Sequence, residues 1–399
     1  MVVQQSNNKT LVCDIGSSSI KVGVAGKLTP DTVVPCIIGY PRNYSRKNNC
    51  KSEKEREMLI GDDALRGGKH QKMQYRYPMM ETGRVYDWSS LEIVLRRALQ
   101  NVVCGQDFSQ YKILITRPYN MKKIDLKTLV DVFLVTLGFR AVTMHEQAAL
   151  VLYTQGVETG VVVELGESKA NIIPVYKGHA IPKLDQTLAV GGRSITSYLI
   201  KLLRLKGFQL NEEEDIEIGR QIKEQACYVA FDPNLDERLA SETTVLLESF
   251  KLPDGTLISL GRERFGAVEA LFKPTLWNCE SSGLSDMIFE VIQEADIDCR
   301  ADLYRNIILS GGTSLLKGIQ ERVENDLNVR YTNDVLKGKP SRSLGWKPHV
   351  HAPDSRQHLV FEGAALFADY VSDDSRYWVS REEYLQHGIQ SVLDKCTIQ

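Results

Sequence analysis

Two acidic side chains stand at the ends of short apolar runs, each followed by an apolar residue and a glycine. The first run is Leu11-Val12-Cys13-Asp14-Ile15-Gly16, continuing into Ser17-Ser18-Ser19. The second is Val161-Val162-Val163-Glu164-Leu165-Gly166, continuing into Glu167-Ser168. Each reads as a buried strand that turns sharply at its glycine, leaving a carboxylate at the strand end beside exposed backbone N–H groups. Two such hairpins facing one another could hold a polyphosphate and its divalent cation. The N–H groups would meet phosphate oxygens, and Asp14 and Glu164 would meet metal-bound water. A third loop, Ile307-Ile308-Leu309-Ser310-Gly311-Gly312-Thr313, delivers two glycines and a hydroxyl to a helix start, where backbone can approach a ligand closely. A lone strand-acid-x-glycine is an ordinary turn, but three loops of this kind in order are hard to assign to chance.

These loops need elements to aim them. After the first hairpin, residues 20–26 alternate like a strand that ends in a turn, and residues 32–38 read as another strand. Residues 41–57 are rich in Asn, Ser, Lys, Arg and Glu without apolar periodicity, which predicts a solvated insertion. The basic stretch 66–72 reads as a second exposed loop. Helical spacing covers residues 91–99, 124–137 and 145–155, with a strand at 112–116. The second half repeats the opening: a hairpin, returning strands at 170–175 and 179–181, Gly191-Gly192-Arg193 before an amphipathic helix running to Leu205, and an acidic-to-basic segment from Asn211 to Tyr228. Strands and helices in alternation make an α/β protein.

Composition bounds the function. The 399 residues are 43% hydrophobic and 25% charged, enough for two sizeable cores, and the net charge of −2 supplies no positive field for nucleic acid or an anionic membrane. No apolar run approaches membrane-spanning length, so a soluble intracellular protein is expected. Eight cysteines without a C-x-x-C pattern predict core thiols rather than disulfides or zinc, and the seven histidines form no ligand cluster.

The residues resemble the actin superfamily. The likeness rests on Val151-Leu152-Tyr153-Thr154-Gln155-Gly156, Pro174-Val175-Tyr176-Lys177-Gly178, Tyr198-Leu199-Ile200-Lys201-Leu202-Leu203, Ile222-Lys223-Glu224 with Cys227-Tyr228-Val229, Ala295-Asp296-Ile297-Asp298, and Trp378-Val379-Ser380-Arg381-Glu382-Glu383-Tyr384. The runs Glu242 to Ser249 into Leu252-Pro253-Asp254-Gly255, Asp334 to Gly338, and His358-Leu359-Val360-Phe361 favour the actin-related branch that seeds branched filaments over filament-forming actin itself. The resemblance spans roughly residues 11–388 and is poorest between 41 and 74.

It implies an α/β fold of actin-like duplicated ribonuclease-H-type domains, four subdomains around a central nucleotide cleft. Residues 1–156 would form the first half, with an exposed insertion-like subdomain at about 41–80. Residues 157–399 would form the second, with the Gly-Gly loop on the adenine side and a C-terminal tail returning to the first half. ATP with Mg2+ is the implied cofactor. The implied contacts are Asp14, Gly16, Ser17, Lys21, Glu164, Gly166, Gly192, Lys223, Glu224, Gly311, Gly312 and Thr313, with Asp14 and Glu164 on the metal through water and Gln147 as the candidate for orienting an attacking water. Lys21 would reach phosphate as a point charge, and Lys223 and Glu224 would meet base and ribose. Without the resemblance, Lys223 and Glu224 read equally well as a solvated helix face.

The chain also departs from the family pattern. Ile15 stands where Asn or Asp is usual, and Ser18 and Ser168 where glycine is. Leu165 removes a hydroxyl expected to face the terminal phosphate. Asn171 replaces a histidine, Gln357 a lysine beside the adenine, and Leu316 an aromatic. Serine in a left-handed conformation at 18 or 168 would cost on the order of 1–2 kcal/mol. The expectation is therefore an ATP-binding assembly subunit of an actin-nucleating complex, not an enzyme beyond a very slow ATPase. Its partners would be a sister actin-related protein, other subunits and the actin filament, with no nucleic acid and no membrane insertion, in the cytoplasmic actin cytoskeleton. A divergent polymerising actin and a nuclear subunit of a chromatin remodeller are the alternatives, and a sugar kinase on the same fold is the remotest.

Overall fold

The computed structural model describes residues 10–41, 58–67, 73–79, 82–103, 107–210, 215–252, 255–339 and 347–396. Seventeen strands run along the described residues. The first eight are β1 (Thr10–Ile15), β2 (Ser19–Val24), β3 (Thr32–Pro35), β4 (Ile38–Pro41), β5 (Leu59–Ile60), β6 (Met73–Arg76), β7 (Lys112–Arg117) and β8 (Ala141–Glu146). They are followed by β9 (Gly160–Leu165), β10 (Ala170–Tyr176), β11 (His179–Ala180), β12 (Gln186–Leu188), β13 (Glu248–Lys251), β14 (Leu257–Leu260), β15 (Ile307–Ser310), β16 (Val350–His351) and β17 (Val379–Ser380).

Two larger sheets share one plan. In the first, β1 pairs antiparallel with β2 and parallel with β7, and β7 runs parallel to β8. In the second, β9 pairs antiparallel with β10 and parallel with β15, and β15 runs parallel to β16. The matching hairpins close the same way: Gly16 N–H donates to Ser19 O at 3.1 Å, and Gly166 N–H donates to Lys169 O at 3.0 Å. This equivalence is what a duplicated unit requires. Both sheets bury near-continuous apolar strands, as parallel strands covered on both faces must. One core gathers Leu11, Ile20, Leu95 and Ile115, and another gathers Val161, Leu165, Ile172, Leu199 and Leu309.

Helices cover the sheets by apolar spacing. Helix Trp88–Val102 starts where the Asp87 side chain accepts from Ser90 N–H at 3.0 Å, and it buries Leu91, Val94, Leu95, Ala98 and Leu99 on one face. The C-terminal segment goes back to the first sheet. There β17 pairs with β8, Val379, Tyr384 and Val392 enter the first core, and helix Leu359–Tyr370 packs with Val12, Leu114 and Leu150.

Several local expectations change. The strand expected over 32–38 breaks at Pro35, which has no N–H to continue a ladder; Ile37 N–H turns back to Pro35 O at 2.9 Å and β4 begins at Ile38. The helix expected over 124–137 is α-helical over Lys123–Val130 and π-helical over Asp131–Thr136, where Tyr384 of the returning tail donates to Asp131 at 2.7 Å. His145 belongs to β8, and the helix after it is Gln147–Thr154. In the basic stretch 66–72, Arg66 and Gly67 end the helix Asp62–Gly67, and 68–72 lie outside the described residues, as do 42–57 of the expected insertion. The cysteines Cys13, Cys36, Cys227 and Cys299 are buried free thiols. No helix among the described residues is long and apolar enough to cross a membrane.

Candidate functional site

The two hairpins and the Gly-Gly loop converge on one cavity of about 880 Å³. Its lining brings together Asp14, Gly16, Ser17, Lys21, Gln147, Glu164, Gly166, Lys223, Glu224, Gly311, Gly312 and Thr313. Gly192 sits directly behind the wall. A Cβ there would lie 2.5 Å from Glu167 Oε2, 2.7 Å from Thr313 Oγ1 and 3.0 Å from Lys223 Nζ, so a larger residue would push these side-chain ends aside. At Gly311 the backbone adopts φ +89°, and a Cβ would come 2.4 Å from Leu165 O, so the third loop presses against the second hairpin through glycine alone.

Asp14, 3% exposed, is the hub of the first half. Its Oδ1 accepts from Thr116 Oγ1 at 2.7 Å and from Gln147 Nε2 at 3.4 Å, and its Oδ2 accepts from Lys21 Nζ at 2.7 Å. Lys21, expected on phosphate, is therefore an ion-pair partner of Asp14 in this structure. Thr116 was not anticipated; its position at the carboxyl end of a parallel strand next to β1 is the signal that could have marked it.

Glu164 is the counterpart in the second half and its environment differs. Asn171 Nδ2 donates to its Oε2 at 3.2 Å and Thr187 Oγ1 fixes Asn171 Oδ1 at 3.1 Å, whereas Glu164 Oε1 is buried with no hydrogen-bond partner. Burial raises the carboxyl to about 7, the Asn171 bond opposes the rise, and the Asp14 charge adds to it. An orphaned carboxylate oxygen near a second carboxylate is an arrangement that a cation would relieve. Among the described residues no group of three or more His, Cys, Asp or Glu side chains is arranged to hold a metal ion.

On the far side Lys223 is only 4% exposed and is no solvated helix face. Its Nζ donates to Gly192 O at 2.9 Å and lies 3.7 Å from Glu167. Glu224 is half exposed and paired with Arg220 at 3.0 Å. Thr313 Oγ1 donates to Gly166 O at 2.8 Å, tying the third loop to the hairpin. Leu316, Gln357 and His358 also line the cavity. His358 Nδ1 is buried without a hydrogen-bond partner, and burial with the Lys21 charge lowers its pKa against the pull of Asp14, so the ring is neutral near pH 7.

Two expectations about the degraded phosphate end are corrected. Leu165 does not face the cavity: it is 1% exposed and packs in the second core, because its alternation along β9 points it away from Glu164. Ser18 and Ser168 carry no left-handed strain, since positive φ among non-glycine residues is confined to Lys177, Lys183, Asn278 and Lys337 in the described chain. Both hairpins turn with ordinary backbone angles, so serine costs nothing there.

Known proteins resemble this chain along nearly its whole length. The actin family matches residues 5–397. Actin-related protein 2 of Acanthamoeba castellanii is 37% identical over 392 residues, 98% of this chain and 99% of that protein. Actin-related protein 2 of Caenorhabditis briggsae is 37% identical over 400 residues, the full length of both, and that of Arabidopsis thaliana is 35% identical over 386 residues, 97% and 98%. With the duplicated sheets, the shared cavity and a match along nearly its entire length, the chain belongs to the actin family.

Proposed function

We propose that this chain is an actin-related protein 2-like, ATP-binding subunit of the complex that nucleates branched actin filaments, acting beside a sister actin-related protein as a template for the new filament. The observation that carries the reading is the likeness to three actin-related protein 2 chains at 35–37% identity over nearly the whole length. Templating is done by surfaces, so it needs a nucleotide that holds the two halves in one arrangement more than it needs turnover. The two halves are taken to divide near residue 156, and the protein is placed in the cytoplasmic actin cytoskeleton.

In this reading ATP with Mg2+ lies in the cavity. The hairpin turns at Gly16-Ser17 and at Gly166 face the phosphates, Lys223 and Glu224 the base and ribose, and Gly311 to Thr313 the adenine side. Asp14 and Glu164 hold the waters of Mg2+, which would neutralise phosphate charge. Gln147, at the start of its helix and bonded to Asp14, is the candidate for orienting a water. Hydrolysis is expected to be very slow. Asn171 supplies no titrating ring and is committed to Glu164 and Thr187, and loss of one well-aimed group commonly costs roughly 10²–10³ in rate.

Copurification of the tagged chain tests the assembly: a second actin-related protein and companion subunits are expected, whereas remodeller ATPases or concentration-dependent filament growth by the chain alone would overturn it. Equilibrium dialysis with labelled ATP and Mg2+, followed by single-turnover phosphate release, tests the site. Absence of binding refutes the nucleotide assignment, and release as fast as in filamentous actin refutes the slow-hydrolysis assignment.

A further inference from the structure

The second hairpin carries a cation that the first one lacks. Gly16 N–H closes the first turn on Ser19 O and Gly166 N–H closes the second on Lys169 O, so Ser19 and Lys169 hold equivalent places, and both line the cavity. Four other cations of the lining are engaged: Lys21 with Asp14, Lys223 with Gly192 O and Glu167, Arg84 with Asp125, and Arg220 with Glu217 and Glu224. Lys169 is half-buried, yet among the described residues its ammonium makes no hydrogen bond or ion pair. Burial lowers its pKa while the Glu164 and Asp185 charges pull it up, the state of an ammonium short of a direct counter-charge. The fold fixes where this side chain stands. The start of the hairpin is tied to the third loop by Thr313 Oγ1 on Gly166 O, and Lys223 lies beside Glu167. The end of the hairpin faces the first half: a Cβ on Gly83 would stand 3.2 Å from Lys169 Cε and 3.7 Å from its Cδ, so the lysine stem runs along a residue that offers only backbone.

We propose that Lys169 binds the terminal phosphate of the nucleotide and makes the site prefer a nucleoside triphosphate to a diphosphate. The inference rests on the nucleotide reading of the cavity. With base and ribose at Lys223, Glu224 and the third loop, the phosphates run along the second hairpin, past Gly166 and toward Glu164 and Lys169. The last phosphate is the one that comes within reach of the lysine. An ammonium and a phosphate oxygen make a charge-assisted hydrogen bond, which is stronger in a half-buried site than in open water. The flexible lysine stem suits such a point contact. A diphosphate ends one group short and leaves the ammonium without its partner, so the two nucleotide states differ at this side chain.

The test is equilibrium dialysis of the full-length protein with Mg2+ against labelled ATP and, separately, labelled ADP. Wild type is expected to bind ATP more tightly than ADP. Lys169→Met keeps an unbranched stem and removes the charge; ATP affinity is expected to fall about 10- to 100-fold, with ADP affinity within about 2-fold of wild type. Lys169→Arg, which keeps the charge, is expected to retain most of the ATP preference. An unchanged ratio of ATP to ADP affinity in Lys169→Met, including an equal loss of both, overturns the assignment and leaves the nucleotide reading intact. If Lys169→Met binds neither ligand, the same ratio is read in Lys169→Gln, which keeps a polar end: a selective loss of ATP supports the assignment, and any other result overturns it. A wild-type chain that binds both nucleotides equally well overturns the assignment alone. One that binds neither overturns the nucleotide reading, and the assignment falls with it.

Discussion

Replacing Glu164 with glutamine isolates the energetics of the second hairpin. Burial holds the carboxyl at about 7, against an ordinary value of 4.5. The difference corresponds to roughly 3 kcal/mol in favour of the neutral form. The folded state therefore binds more protons than the unfolded chain between those two values, so this group's stabilising contribution is complete below about 4.5 and is lost as pH rises through about 7. Glutamine imitates the protonated carboxyl and cannot ionise. Denaturant unfolding without nucleotide or divalent cation, run from pH 4 to 8.5, should show Glu164→Gln gaining on wild type as pH rises and levelling off above 7 at an advantage of roughly 3 kcal/mol. Other titrating groups, His145 and His358 among them, cancel in the difference. With Mg2+ and ATP the order should reverse above pH 7, because a cation relieves the carboxylate and has no such claim on the amide. Stability curves that stay parallel across the range would refute the argument.

Three further outcomes follow from packing. Arg322 and Glu269 form a buried ion pair at 2.9 Å, with Asp326 and Ala230 O as further acceptors for the arginine, so Arg322→Leu should cost about 3–5 kcal/mol in urea unfolding; a loss under about 1 kcal/mol would show that Glu269 finds another partner. Gly311→Ala should destabilise by at least about 1 kcal/mol and weaken ATP retention in dialysis, since φ is +89° and the added Cβ would press on Leu165 O. Leu165→Ser, which restores the hydroxyl usual in the family, should lower stability by about 2–4 kcal/mol without accelerating phosphate release, because the side chain lies in the core; faster release would place it at the phosphate after all.

The sequence alone determined the duplicated strand-acid-x-glycine hairpins, the Gly-Gly loop and the membership of the chain in the actin family, because these depend on local backbone chemistry and on runs of residues that can be read in order. Asp14, Glu164, Gly166 and Gly311 were legible for that reason. Only the tertiary structure decided what those residues touch. Lys21 pairs with Asp14 from the opposite strand of the same hairpin, Thr116 completes the hydrogen bonding of Asp14 from a strand far away in sequence, and Glu164 keeps an orphaned oxygen. The same holds for the corrections: the register of β9 against β10 and β15 sends Leu165 into the core, and the hairpin turns spare Ser18 and Ser168 any left-handed strain. The approach of Lys169 to Gly83 carries no local signal at all. It exists because the second hairpin is folded against the first half, and a one-dimensional pattern does not encode that closure.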